Sequence, residues 1–231
     1  MALTLTDLRA LSDLPFDEVI DVRAPAEYAE DHIPGATSLP VLTDEERAQV
    51  GTIYTRVDRF EARKIGAALV ARNAAAHLEG SLRNRPGGWR PLVYCWRGGQ
   101  RSGSVASILA QIGWRVDTLD GGYRSYRRLV VDAMHKTPLP HRLVLLDGDT
   151  GTAKTDLLHR LKARGHQVLD LEGLAAHRGS IFGATGRAQP SQKAFEGAIA
   201  VQLAAMDPGR PVLAEAESSR VGDVQIPPSL W

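Results

Sequence analysis

Cys95 is the sole cysteine among 231 residues, and it opens the run Cys95-Trp96-Arg97-Gly98-Gly99-Gln100-Arg101-Ser102. A thiol set among glycines and arginines is placed to become a thiolate. Loop amides, a helix N-terminus and the full charge of Arg101 all favour negative sulfur. A lone cysteine without such neighbours reads as a small buried hydrophobe. Here the neighbours reverse that reading. Five residues separate Cys95 from Arg101, a spacing that wraps backbone amides around a tetrahedral oxyanion. Arg97, Gly98, Gly99, Arg101 and Ser102 are therefore the expected substrate-binding residues around a nucleophilic Cys95. Spacing alone leaves two chemistries open: phosphate-ester hydrolysis by a cysteine phosphatase, and transfer of sulfur or selenium.

A second constellation lies at Gly148-Asp149-Thr150-Gly151-Thr152-Ala153-Lys154-Thr155. It approaches the phosphate-loop pattern, in which backbone amides and a lysine cradle a diphosphate. Gly148, Gly151, Lys154 and Thr155 are the expected phosphate-binding residues, with a structural turn as the alternative. Ala153 stands where the pattern has its second glycine. A methyl there crowds the anion or forces a strained turn. Glu215 and Glu217 lie where an acid could orient magnesium; a solvated pair is the other reading. No other cofactor is indicated.

Elements of a particular kind must carry these loops. Pro91-Leu92-Val93-Tyr94 reads as a strand leading into Cys95, and Ser104 to Ile112 as the helix after it, with Val105, Ile108, Leu109 and Ile112 on one face. Earlier come a short strand over residues 18–23, a short helix from Ala26, a turn at His32-Ile33-Pro34-Gly35-Ala36, and mostly helix from Leu42 to Ala76. Residues 78–90 read as a loop, and residues 115–119 as a strand closed by a Gly121-Gly122 turn. Asp21 and His32 read as structural, a strand-end turn and a hydrogen-bonded histidine, with a catalytic role as the alternative. After a linker at residues 136–140, Leu143-Val144-Leu145-Leu146 reads as a buried strand. A helix follows over residues 156–164, then strands over residues 167–170 and 211–215. Strands alternating with helices imply an α/β fold with parallel sheets. The expected division is one domain over residues 1–135 and an incomplete second α/β domain over residues 141–231.

Hydrophobic residues make up 43% and charged residues 24% of the chain, as in ordinary globular proteins. No apolar run reaches the ~20 residues of a membrane span, and the first residues lack a signal-peptide layout. One cysteine forms no internal disulfide, so a cytoplasmic location is expected. The net charge of +1 is uninformative, but residues 81–116 carry six arginines (83, 85, 90, 97, 101, 115) and no acid. Arg124, Arg127 and Arg128 follow. Such a zone suits a small oxyanion or a nucleic acid backbone.

Asp21-Val22-Arg23, Glu27-Tyr28, His32-Ile33-Pro34-Gly35-Ala36, the Cys95 loop and Asp120-Gly121-Gly122-Tyr123, in that order, resemble a rhodanese domain. Together with Gly165 to Leu174, His177-Arg178-Gly179-Ser180, Gln189-Pro190-Ser191-Gln192, Phe195-Glu196, Glu217-Ser218 and Val221-Gly222, the whole chain resembles the tRNA 2-selenouridine synthases. That family fuses a rhodanese domain to a P-loop domain. The resemblance implies a tRNA-modifying enzyme acting on the wobble uridine. A 2-thiouridine sulfur is geranylated from geranyl diphosphate, and selenium from selenophosphate then replaces it. Cys95 would receive or relay selenium, and Lys154 and Thr155 would hold a diphosphate. The chain departs from the family at Ala153 and in its shorter length. A non-catalytic tRNA-binding remnant is the other expectation that this departure raises.

Overall fold

The computed structural model describes residues 2–149, 152–178, 183, 186–216 and 218–231. Its backbone divides into two compact units, Met1–Thr6 with Asp13–Tyr126, and Asp7–Ser12 with Arg127–Trp231. No helix among the described residues is long and apolar enough to cross a membrane.

The first unit is built on five parallel strands: β1 (Ala2–Leu3), β2 (Glu18–Asp21), β3 (Thr37–Ser38), β4 (Pro91–Tyr94) and β5 (Asp117–Leu119), in the order β1-β5-β4-β2-β3. Its helices are α1 (Pro25–Glu30), α2 (Asp44–Arg56), α3 (Arg59–Glu79), α4 (Gln100–Ile112) and α5 (Tyr123–Val131), and the division between units falls within α5. β4 is central, with β2 on one side and β5 on the other. A strand covered on both faces reads as an unbroken apolar run, and Pro91 to Tyr94 are all buried. The core gathers Ile20, Val22, Val41, Val70, Trp89, Val93, Val105 and Leu109, and Cys95 belongs to it.

Several expected boundaries move. The helical stretch from Leu42 is two helices, because Val57 leaves the helical region and Asp58 caps the next helix, accepting from the Glu61 amide at 2.7 Å. α4 starts at Gln100 rather than Ser104. Its polar first turn hid the start, since the apolar periodicity begins only at Val105.

The second unit holds three parallel strands, β6 (Leu143–Leu146), β7 (Gln167–Leu169) and β8 (Val212–Glu215), ordered β6-β8-β7. Helices α6 (Lys154–Ala163), α7 (Leu171–Ala175) and α8 (Gln192–Ala204) connect them, and β9 (Arg220–Val221) pairs antiparallel with β10 (Val224–Gln225). The expectation that residues 143–146 are buried is overturned: Val144 is 41% and Leu145 58% exposed. Among the described residues β6 is an edge strand paired with β8, and Val144 and Leu145, whose side chains leave opposite faces of the strand, are each left in part to solvent. The largely buried strands of this sheet are β7 and β8.

Candidate active site

Cys95 follows β4 directly, at the C-terminal edge of the sheet, where loops of parallel α/β folds carry chemistry. The loop is fixed by a second one. The amides of Tyr123 and Arg124 donate to the carbonyls of Cys95 (2.8 Å) and Trp96 (3.1 Å). Gly98 has φ +66°, and a Cβ there would lie 2.6 Å from the Leu119 carbonyl oxygen. Gly122 has φ +56°, and a Cβ there would run into the Cys95 carbonyl. Two glycine motifs distant in sequence are thus halves of one packing arrangement.

Cys95 is only 4% exposed. Burial pushes its thiol up, but the Ser102 hydroxyl, the Ser102 and Gly99 amides and the Arg101 charge outweigh it and hold the thiol below its ordinary range. Sγ lies 3.2 Å from Ser102 Oγ, which is itself 3.2 Å from the Gly99 carbonyl oxygen. Cys95 is thus both a buried core residue and a thiol held below its ordinary range by its polar neighbours. Ser102→Ala should slow iodoacetamide alkylation of Cys95 at pH 7 by roughly tenfold, the equivalent of one hydrogen bond to a charged sulfur. The rate–pH midpoint should rise with it. With one cysteine per chain the readout is unambiguous, and an unmoved midpoint would remove Ser102 from thiolate stabilisation.

Of the residues expected to bind substrate, Arg101 is the one most tied down. Its guanidinium donates to both oxygens of Glu27, at 2.8 and 3.4 Å. Glu27 also accepts from the Ala24 amide (3.1 Å) and pairs with Arg47 (3.1 Å). Burial pushes the Glu27 carboxyl up, and Arg101, the Ala24 amide and Arg47 more than reverse it. Arg97 is exposed beside the loop, as is Arg124. Within the wider arginine zone, Arg85 is engaged by Glu18 at 2.7 Å.

The loop's back wall is aromatic and ionic. Asp21 and Arg23 are both buried and paired, with Arg23 Nη2 at 2.6 Å from Asp21 Oδ2. The Arg23 guanidinium also donates to the Asp31 carbonyl (2.6 Å) and lies 4.0 Å from the Tyr123 ring centroid. Tyr123 donates to Asp31 at 2.7 Å and packs 5.1 Å from Trp96. His32 stacks on Tyr28 at 3.8 Å and bonds the Tyr28 carbonyl at 2.9 Å. Asp21 and His32 are thus both engaged by neighbouring protein groups. Glu27 is the residue that motif reading undervalued, since its partner lies 74 positions away.

In the second unit the loop after β6 carries the other expected site. Lys154 opens α6, and its Nζ folds back onto the Gly148 carbonyl, with the Asp149 carbonyl at 3.4 Å. Thr155 Oγ1 donates to Glu172 Oε2 at 3.0 Å. Gly151 lies outside the described residues, as do Thr150, Gly179, Ser180 and Glu217. Ala153 has φ 60° and ψ 31° at the N-cap of α6. The turn that a glycine makes freely is held here by an alanine at a cost of roughly 1–2 kcal/mol. Ala153→Gly should raise stability to urea by roughly 0.5–1 kcal/mol after the added freedom of the unfolded chain is subtracted. A loss of stability would show that the loop relaxes elsewhere.

Glu215 ends β8, and the solvated alternative does not hold for it. The side chain is 1% exposed, with Oε2 accepting from the Leu171 amide at 3.1 Å and Oε1 unpartnered. Burial, with help from the negative charges of Asp170 and Glu172, pushes its carboxyl up to about 7. Among the described residues, no group of three or more His, Cys, Asp or Glu side chains is arranged around a metal position.

Known proteins resemble both units. Residues 4–129 match the rhodanese-like domain, and residues 141–231 match the tRNA 2-selenouridine synthase AAA domain. A tRNA 2-selenouridine synthase of Nitrosomonas europaea is 37% identical over 98% of this chain and 60% of its own length. One of Hahella chejuensis is 40% identical over 92% of this chain and 56% of its own length. The chain thus spans 60% or less of the length of these two curated relatives. Among solved structures, the N-terminal domain of a Clostridium difficile 630 protein is 34% identical over 57% of this chain and 99% of that domain, with a TM-score of 0.47.

Proposed function

Residues 4–129 make this chain a member of the rhodanese-like family, and residues 141–231 carry the tRNA 2-selenouridine synthase AAA domain; from that pairing we propose that it forms 2-selenouridine at the wobble position of tRNA. The observation that carries the proposal is one chain holding a buried cysteine with a lowered thiol and a loop with a lysine of phosphate-binding type. The chemistry needs both. The sulfur of a 2-thiouridine is a poor leaving group. Alkylation by geranyl diphosphate makes it a good one, and a selenium nucleophile derived from selenophosphate then takes its place at C2.

In this reading Lys154 and Thr155 hold the diphosphate, with Lys154 turning from the Gly148 carbonyl to the anion. Cys95 meets selenophosphate within its loop, and the exposed Arg97 and Arg124 attract it. The zone of arginines serves the tRNA backbone. The activity belongs to the cytoplasm, where tRNA is modified.

The test is mass spectrometry of the wobble nucleoside after incubating the chain with 2-thiouridine tRNA, geranyl diphosphate and selenophosphate. The expected products are the S-geranyl and then the 2-seleno nucleoside. Recovery of unchanged 2-thiouridine under all conditions would overturn the proposal.

A further inference from the structure

We infer that Cys95 attacks the phosphorus of selenophosphate, not its selenium, and so releases selenide by passing through a phosphocysteine. The inference rests on the proposed use of selenophosphate and specifies what Cys95 does there.

Redox balance gives the first argument. Selenium in selenophosphate is already fully reduced, and phosphorus is fully oxidised. A thiolate that took selenium from it would form a sulfur–selenium bond and leave the bonding pair on phosphorus, reducing it. Regenerating phosphate would then require an oxidant. Attack at phosphorus needs none. The sulfur lone pair forms the S–P bond, the P–Se bond breaks, and its pair leaves with selenium, which takes a proton from water as hydrogen selenide anion. Water then attacks phosphorus, the S–P pair returns to sulfur, and inorganic phosphate departs. The selenide adds to C2 of the S-alkylated base, the C2–S bond breaks, and the leaving thiolate is protonated.

The loop supplies the second argument. Among the described residues, the backbone N–H groups of Arg97, Gly98, Gln100 and Arg101 donate to no main-chain or side-chain acceptor. Gly99 and Ser102 direct theirs at the sulfur. Uncommitted amides in the loop that follows the nucleophile meet the need of a transferring phosphoryl group, whose equatorial oxygens carry the charge. A single selenium atom would use few of them. Five residues between Cys95 and Arg101 give the loop the span for that group. Arg101, held on Glu27 at 2.8 Å, keeps the far end of the loop in place.

The test uses the wild-type chain, selenophosphate labelled with ³²P, and in parallel selenophosphate enriched in one selenium isotope. Two labels are needed because phosphoryl and selenium adducts add nearly the same mass. After a rapid acid-free quench, ³²P is expected on the peptide containing Cys95, with selenide appearing in solution in a burst that needs no tRNA. The burst should fall at least tenfold in Cys95→Ser, and orthophosphate should protect the wild-type thiol from iodoacetamide. Isotopic selenium on Cys95, or selenation of tRNA with neither ³²P on the chain nor a tRNA-independent selenide burst, overturns the inference and leaves the proposed function standing. Failure of the wild-type chain to selenate tRNA while Cys95 takes ³²P sinks the proposed function instead, leaving a cysteine that accepts phosphoryl groups. Neither selenation nor label removes both.

Discussion

Cys95→Ser should lower selenium incorporation into thiolated tRNA by roughly a thousandfold or more, as expected when a nucleophile is removed. A hydroxyl at this position is not ionised near neutral pH, and the Ser102 contact, the loop amides and Arg101 would then surround a neutral group. Geranylation should persist, because it uses the phosphate loop and no thiolate. The fold should tolerate the change, since serine is close to cysteine in size and its hydroxyl keeps the polar neighbours of this buried position. The nucleoside ratio by mass spectrometry separates the outcomes. Selenation at wild-type rate would exclude Cys95 from the chemistry, and joint loss of both steps would point to a fold defect, checked by circular dichroism.

Asp21→Ala should destabilise the first unit by about 3–5 kcal/mol, because it leaves the buried Arg23 guanidinium without its carboxylate. That is a large part of the 5–15 kcal/mol, roughly, by which a domain is stable. Asp21 accepts from Arg23 Nε and Nη2 at 2.6–3.0 Å and from the Arg23 amide at 2.9 Å. Asp21→Asn keeps one acceptor and should cost clearly less. Urea unfolding followed by tryptophan fluorescence gives both values. A loss below about 1 kcal/mol in the alanine variant would mean that water reaches Arg23 and the pair is ordinary surface electrostatics. The effect should extend to function, because Arg23 supports Tyr123, whose amide holds the Cys95 carbonyl.

The Cys95 half was legible because its signals are local. An apolar run, a Gly/Arg loop and a 3.6-residue periodicity at Val105, Leu109 and Ile112 all fall within twenty or so residues, and the structure sets them in sequence as strand, loop and helix. What could not be read was pairing at long range. Glu27 sits in a short helix with nothing to announce that it holds Arg101 and Arg47. The Gly121-Gly122 turn was legible as a turn, but its glycines are required by the Cys95 carbonyl, a neighbour known only after folding. The apolar run at residues 143–146 misled for a related reason. Hydrophobicity reports that a strand wants cover, not whether anything packs on its two faces. Ala153 was legible as a misfit, and its left-handed backbone is the form that the misfit takes.

The meeting of Gly98 and Gly122 has a consequence for how this protein can vary. Each glycine is required by backbone atoms of the other loop, so a side chain gained at either position has no compensating substitution at a third. One extra residue between Cys95 and Gly98 would also displace the carbonyl that the Tyr123 amide grips. The loop's length is therefore as heritable as its cysteine. A descendant lineage could exchange Trp96, Arg97 or Gln100 and acquire a new substrate, but it would inherit the bore of this loop unchanged. Altering that bore would require a simultaneous change in two separate stretches of the gene.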